Sequence, residues 1–332
     1  MFSQIEKQEP TVEIKNQFIN DLLCVCCWGH LLEVQKEDGV NLICNNCKEC
    51  YPSVDGIPVL INENNSIFRK GEFVERGKTF FYKSKLNYWF SKLIPPLGIN
   101  WVAPKNYRYL KLQLTSKVTG NSKPRILVVG GSIEGRGFKN LVDNNLFEII
   151  EGDISFGPKT KIIFDAHDMP FADNYFDLVI CQAVLEHVVN PAKCVTEIYR
   201  VLKTEGLVYV ETPFMQQVHG GAFDFTRYTH SGHRILLRAF QELNSGPTAF
   251  AGTSFYWAYY YLLQSLLGFN KQINNFVKLF ARFTGFPFLI FDLLTFGNRK
   301  YDSASGFFFI GKKSDQTFNP NTDIVSYYNG AN

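Results

Sequence analysis

The sequence predicts an α/β fold built on parallel strands, and three observations carry that reading. The stretch RILVVGGSIEGRG runs from an apolar segment at 126–129 straight into Gly130 and Gly131. So short an apolar run, bounded by turn residues, describes a strand buried on both faces. The glycines let the backbone turn tightly and approach a ligand where a Cβ would intervene. A second apolar segment, FEIIE at 147–151, leads to Asp153, about twenty residues past the glycines, where nucleotide-binding α/β sheets place the acid for ribose hydroxyls. Three further strand segments, at 162–164, 176–182 and from 206, follow in series, the last two separated by a helical segment.

Ahead of these strands, six of the eight cysteines lie between Cys24 and Cys50 in the pattern CVCC…CNNCKEC. Cys24-x-x-Cys27 and Cys44-x-x-Cys47 read as two knuckles separated by enough chain for a hairpin. Four thiolates so spaced suit tetrahedral zinc in a closed structural site, although Cys26 or Cys50 is able to replace a neighbour. The opening MFSQIEKQEP is charged and has no apolar core, so no secretory signal is expected. That points to a cytoplasmic, reducing compartment, where clustered cysteines indicate metal before disulfides. A module of this size has too little core to fold easily alone, so metal or docking on the larger domain must help.

From 66 to 125, thirteen Lys or Arg stand against two Glu, about +11 in a chain whose net charge is only +3. Aromatics interleave with these cations in FFYKSKLNYWFSKLIPPLGINW and NYRYLKL. Such a surface suits RNA, an anionic membrane or a phosphorylated substrate; the alternative is a solvated helical face whose aromatics turn into the core.

A helix is expected to start near Gly135, where its N-terminus and bare amides would hold polar ligand groups. The strand at 162–164 ends in DAHDMPF, the strand at 176–182 breaks into VLEHV, and GLVYVETPF follows a helix ending RVLKTEG. After Phe240 two apolar helices, FYWAYYYLLQSLLGF and FVKLFARFTGFPFLIFDLLTF, broken at 285–287, precede a final strand at 305–312. An insertion of this kind would cover the ligand side of the sheet as a lid. No run reaches the roughly 18 to 20 apolar residues a spanning helix needs, and the tail from Ser314 is polar and loose.

In their order, the glycine turn, the strand-two acid, DAHDMPF, FDLV and VLEHV resemble class I S-adenosylmethionine (SAM) dependent methyltransferases over residues 125–214. The resemblance implies a Rossmann-like, seven-stranded methyltransferase sheet with an antiparallel last strand. It also implies SAM as cofactor. Gly130, Gly131 and Gly135 would shape the turn around its amino-acid end, Asp153 would bind both ribose hydroxyls, and Ile154 would flank the adenine. Asp165 and Ala166 would meet the adenine edge, and Gln182 would lie near the methionine portion. Two positions depart from the family: Val128 stands where many relatives carry an acid, and Ser132 where they carry glycine. Ser132 still offers an amide and is placed to cap the following helix. Asp177 reads as a cap or turn residue rather than a ligand.

The segment around CVCC…YPSVDGIPVLIN resembles the small zinc-ribbon activator subunit of tRNA and translation-factor methyltransferases, here fused in cis. That resemblance favours Cys24, Cys27, Cys44 and Cys47 as ligands of a structural zinc. The expected organisation is a zinc-ribbon-like domain at 1–65, a basic aromatic link with helices at 66–123, and a methyltransferase domain at 124–313. Its helical insertion falls at about 250–300, and a flexible tail occupies 314–332.

Methyl transfer from a sulfonium is an in-line displacement that gains most from positioning and exclusion of water, and a hydroxyl acceptor also needs a base. His187, His167 and His219 fall where the acceptor would enter. The His219 loop adds Asp224 to orient the ring and Arg227 for an anionic acceptor; alternatively, Asp224 and Arg227 pair and brace the loop. His219 and His187 are thus the catalytic candidates, with His219 ahead. The leading reading is methylation, at oxygen, of a small-molecule, glycan or lipid-linked acceptor, with peripheral membrane contact. An RNA methyltransferase is the alternative, though no N-P-P-Y-type motif is present. A non-catalytic scaffold with a decayed cofactor site is the third reading.

Overall fold

The computed structural model describes residues 18–36, 39–76, 94–120, 122–143, 146–314, 325–326 and 328–331. Strands β1 (Leu31–Lys36), β2 (Gly39–Cys44) and β3 (Cys50–Tyr51) form a small antiparallel sheet. A hairpin of β4 (Ser53–Val54) and β5 (Ile57–Leu60) follows. Its two-residue turn places Asp55 and Gly56 at φ 52° and 76°, the left-handed pair that Asp-Gly adopts readily. Helix α1 (Lys70–Arg76) completes the described part before residue 94. Much of the basic, aromatic stretch FFYKSKLNYWF lies outside the described residues.

Helix α2 (Ala103–Thr115) leads into β6 (Arg125–Val129), β7 (Glu148–Asp153), β8 (Ile162–Phe164) and β9 (Phe176–Gln182). Helix α3 (Pro191–Val201) starts with Pro191 in its first turn and the Asn190 side chain accepting from the Lys193 amide, the favoured chemistry for a helix start. Then come β10 (Leu202–Pro213), α4 (His230–Leu236), β11 (Gln241–Ala249), α5 (Ala251–Leu267), α6 (Lys271–Gly285) and β12 (Gly306–Lys312).

The main sheet has the order β11-β12-β10-β9-β6-β7-β8-β5-β4. Strands β5 to β10 pair in parallel across it, and β12 runs antiparallel to both β10 and β11. The seven expected strands are present, extended to nine by the N-terminal hairpin, with Val59 opposite Ile163 and Leu60 opposite Phe164. This is the docking that a module with so small a core requires. Alternation along β6 and β9 sends Leu127, Val129, Val179 and Cys181 to one buried face and Ile126, Leu178 and Ile180 to the other, the period-two signature of a strand covered on both sides.

Two expectations fail. The helix awaited near Gly135 is absent: the chain makes only a 3-10 turn at Phe138–Asn140. Glycine costs a helix about 1 kcal/mol against alanine, and this stretch contains both Gly135 and Gly137, the latter at φ 85° against the start of α2. Ser132 therefore caps no helix. The helix before β10 ends at Val201, and KTEG belongs to an irregular start of the strand, with Glu205 at φ 63°. The insertion between β11 and β12 is present, and the break at its centre is a 3-10 turn, Phe286–Leu289.

Candidate active site

The carboxyl ends of β6, β7, β8 and β9 open on one crevice of about 340 Å³ at the point where strand order reverses, the place where open α/β sheets collect their ligands. Gly130, Gly135, Asp153, Ile154, Asp165, Ala166 and Gln182 all line it. Two of these glycines are sterically required. Gly130 sits at φ 78° with room for no Cβ beside a Val184 methyl, and a Cβ on Gly135 would lie 2.0 Å from Gln182 Oε1. Gly131 faces away, toward Glu151, so it shapes the turn without lining the crevice. The amides of Gly130 and Gly131 both donate to the Gly152 carbonyl, at 2.9 and 3.0 Å.

Asp153 pins the turn to β7: its Oδ2 accepts from the Ser132 amide and its Oδ1 from the Ser155 amide, each at 2.9 Å. Burial pushes its carboxyl up, and these bonds recover only part of the shift. Val128 packs against the second core layer, and Ser132 is buried with its amide on Asp153. Asp165 is more committed than expected. Its Oδ1 holds the His167 ring and amide, and its Oδ2 accepts from Ser66 Oγ at 2.5 Å. Burial raises this carboxyl, but the bonds from His167 and Ser66 outweigh it and leave it below the usual range. His167 is correspondingly a brace: its Nε2 accepts from the Asn190 amide at 3.1 Å. Asp177, as expected, is structural, accepting from the Arg125 amide and from Lys203.

A second cavity of about 390 Å³ lies beside the first, and the two share Ala183 and His219 in their walls. Ala183 has φ 56°, with its amide on the Glu211 carbonyl; a non-glycine residue held in that region marks a constrained junction. The insertion closes the second cavity with Thr253, Trp257 and Arg282. Fully buried Glu211 accepts from Asn100 Nδ2 at 2.8 Å, from Gln182 Nε2 at 2.6 Å and from the Tyr209 hydroxyl. Gln182 Oε1 accepts from Tyr107 at 3.0 Å, so this side chain is fixed at both ends.

The 3-10 turn Leu185–His187 meets the loop after β10 where the Phe225 amide donates to the Glu186 carbonyl at 2.8 Å. This stitch brings the rings of His187 and His219 to 4.9 Å between centroids. Both Nε2 atoms lie 3.8 Å from the same Glu186 Oε1. His187 Nδ1 donates to the Phe223 carbonyl at 2.6 Å. Burial holds both histidines below their ordinary value and pushes the Glu186 carboxyl up to about 8.

Asp224 and Arg227 take the bracing role. Asp224 accepts from Arg227 and from the His219 amide at 2.8 Å, while the His219 ring nitrogen lies 3.5 Å away. The Arg227 guanidinium also donates to the carbonyls of Gln216, Gln217 and Thr226, so it is not available to an acceptor. The cation facing the second cavity is Arg282, which the sequence reading missed because nothing near it in the chain marks it. Glu186, Asn100 and the Ser66-Ile67-Phe68 stretch were missed as well. Ile67 and Phe68 line the first crevice and Phe68 stacks on Phe223 at 5.7 Å, from a region with no periodic signal. Only Glu186 had a visible flag, a carboxylate beside His187.

In the N-terminal module the sulfurs of Cys24, Cys27, Cys44 and Cys47 all lie within 4.8 Å of one another, with Cys24 to Cys47 at 3.6 Å and Cys27 to Cys44 at 3.4 Å. Tetrahedral zinc with Zn–S bonds of about 2.3 Å needs sulfurs roughly 3.8 Å apart, so this set fits. Cys26 is exposed and takes the Tyr51 hydroxyl instead.

The strand order, the antiparallel β12 and the crevice at the switch point define the class, and residues 138–210 match the family described as a methyltransferase domain. Over those residues the chain carries a methyltransferase domain, on a Rossmann-like fold. An uncharacterized protein of Methanocaldococcus jannaschii is 50% identical over 50 residues, 15% of this chain and 22% of that one. The chain thus spans about a fifth of the length of that curated relative. Among solved structures, Haemonchus contortus phosphoethanolamine N-methyltransferase 2 in complex with SAM is 14% identical, with a TM-score of 0.40 over 62% of this chain and 53% of that one. The YcgJ protein of Bacillus subtilis is 13% identical, with a TM-score of 0.36 over 64% of this chain and all of that one.

Proposed function

We propose that the protein transfers a methyl group from SAM to a hydroxyl of an anionic, partly apolar acceptor, lipid-linked or held at a membrane face. The observation that carries this reading is the shared wall of the two cavities, Ala183 and His219. It lets a cofactor in the crevice and an acceptor in its neighbour meet at one point. Bound SAM would supply an electrophilic methyl on its sulfonium. Asp153 would take the ribose hydroxyls, Ile154 and Ala166 would bound the adenine, and the Gln182–Glu211–Asn100 network would hold the wall between the pockets rigid. Arg282 and Trp257 would give the acceptor site a cation and an apolar face, and the lid would exclude water. Structural zinc would tie down the module whose following residues close the crevice.

The membrane side of the proposal draws on the insertion. Phe269, Phe276 and Phe296 are 81%, 69% and 75% exposed, with Ile290, Phe291, Leu293 and Leu294 also outward on the described surface. Lys271 and Lys278 lie on the same helix as Phe276. Among the described residues no helix is long and apolar enough to cross a membrane. Rings beside lysines suit the interface of an anionic bilayer. Calorimetry with SAM and sedimentation with vesicles test the two halves: SAM should bind, and the protein should sediment with anionic vesicles and less so after Phe276→Ser. Indifference to anionic vesicles, together with RNA binding that falls steeply with salt, would replace the lipid reading by the RNA one.

A further inference from the structure

Glu186 is the least explained residue of the site. It is fully buried, and neither of its carboxylate oxygens has a hydrogen-bond partner among the described residues. A carboxyl buried without a partner either keeps its proton or has to be met by something positive. The groups closest to completing it are the two imidazoles, each presenting Nε2 at 3.8 Å from Oε1. Their other nitrogens are engaged: His187 Nδ1 on the Phe223 carbonyl at 2.6 Å, and His219 Nδ1 at 3.3 Å from the Gln217 carbonyl, with Gln216 and Arg227 nitrogens at 3.4 Å. The Phe223 carbonyl on His187 Nδ1 sets the tautomer that leaves that ring's Nε2 with its lone pair, the arrangement that metal-ligating histidines usually show, whereas His219 Nδ1 faces one carbonyl and two donors, so its tautomer follows what its Nε2 meets.

We propose that Glu186, His187 and His219 form a binding site for a first-row divalent cation, distinct from the four-cysteine site, at the wall between the cofactor and acceptor cavities. The three ligand atoms lie within 4.8 Å of one another. Bonds of about 2.0 to 2.2 Å require them to close in by about an ångström. His219 sits on a loop able to supply that movement, whereas Glu186 and His187 belong to one turn and come as a pair. One carboxylate with two imidazoles suits zinc, iron(II), manganese or cobalt and leaves coordination positions open. Glu186 lines the acceptor cavity, His187 lines the crevice and His219 lines both, so an open position would face the acceptor. The inference rests on the methyltransferase reading for its use. An acceptor hydroxyl bound to the cation would lose its proton to water in the acceptor cavity. Its oxygen would then form the new bond to the methyl carbon while the carbon–sulfur bond breaks, its electron pair remaining on sulfur. His219 would in that case be a ligand rather than a free base.

The test is a cobalt(II) titration of the full chain, purified with its thiolate site loaded with zinc, read by absorption and by bound metal after desalting. The expected result is one cobalt per chain with weak d–d bands and no intense sulfur charge transfer, lost in both Glu186→Gln and His219→Ala. Cobalt that appears only with thiolate charge transfer, or binds equally well to both variants, overturns the site. His219→Ala lies on a surface loop, so it keeps the result readable should Glu186→Gln fold poorly. SAM calorimetry on the same samples separates the proposals: absent cobalt with intact SAM binding sinks the metal site alone, and absent SAM binding sinks the methyltransferase reading.

Discussion

The two cavities are built in different ways. The crevice takes its residues from consecutive strand ends: Gly130, Asp153, Asp165 and Gln182 each fall at or just past the carboxyl end of β6, β7, β8 or β9. Its neighbour is assembled from Asn100, Glu186, Glu211, His219, Trp257 and Arg282, residues spread over most of the domain. A site read out by a repeating strand-and-turn pattern is tied to the fold and so constrained in cofactor, whereas one assembled from loops and an insertion is free to vary in acceptor. Loops on a rigid scaffold serve that purpose generally.

The sharpest way to break this contrast is at the shared wall. His219→Ala should lower kcat by about 10² to 10³, in the range that proton-transfer and positioning groups contribute, and by more than His187→Ala, because His219 borders both cavities and His187 only the crevice. Once an acceptor is in hand, saturating kinetics of both variants decide it, and a larger fall for His187→Ala would reverse the order. SAM affinity should change little in His219→Ala.

On the crevice side, Asp153→Ala should weaken SAM binding about tenfold to a hundredfold in calorimetry, since charge-assisted bonds contribute roughly 1.5 to 3 kcal/mol each. The structure adds that the turn itself should loosen, because the same carboxylate holds the Ser132 and Ser155 amides. Unchanged affinity would place the ribose elsewhere.

A third test asks whether the crevice depends on a distant module. One thiolate-bound zinc per chain is expected in protein purified without added metal, apart from any cation on Glu186, His187 and His219, and Cys44→Ser should abolish the thiolate charge transfer seen when cobalt replaces it. Because β5 extends the sheet beside β8 and Ser66 holds Asp165, SAM affinity should also fall, by up to about tenfold. That is less than the loss of a charge-assisted pair. Undiminished thiolate-bound metal in Cys44→Ser would refute the ligand set.

The smallest effect lies outside both cavities. His233 is fully buried, neither ring nitrogen has a hydrogen-bond partner among the described residues, and burial lowers its pKa to about 3. Unfolding restores an ordinary histidine near 6.5, so below that pH the unfolded chain binds a proton the folded chain refuses. Stability contributed by this residue is level above pH 6.5 and falls by up to about 1.4 kcal/mol per unit as pH drops toward 3. Denaturant melts of His233→Phe between pH 6.5 and 4 should show a shallower acid slope than the parent; equal slopes would remove His233 as the cause.

The periodic part of the molecule is legible without coordinates. Buried strands ending in glycine or an acid are local patterns, so the sheet and the crevice were legible, and the paired cysteines announced their cluster because both knuckles are short-range. The antiparallel β12 followed from the methyltransferase resemblance, and the helical insertion from its two apolar segments. The tertiary structure decided what depends on residues far apart. It gave Asp165 to Ser66 as well as to His167, whereas the helix missing after Gly135 is a local matter of glycine content outweighing the motif. It also spent Arg227 on Asp224 and set Arg282 facing the acceptor cavity. Hydrogen-bond satisfaction is a sum over every neighbour in space, and neighbours separated by a hundred residues leave no trace in the spacing of either segment. The orphaned carboxylate of Glu186 belongs to that second class, because burial and the absence of partners are properties of its surroundings and not of the motif LEHV in which it stands.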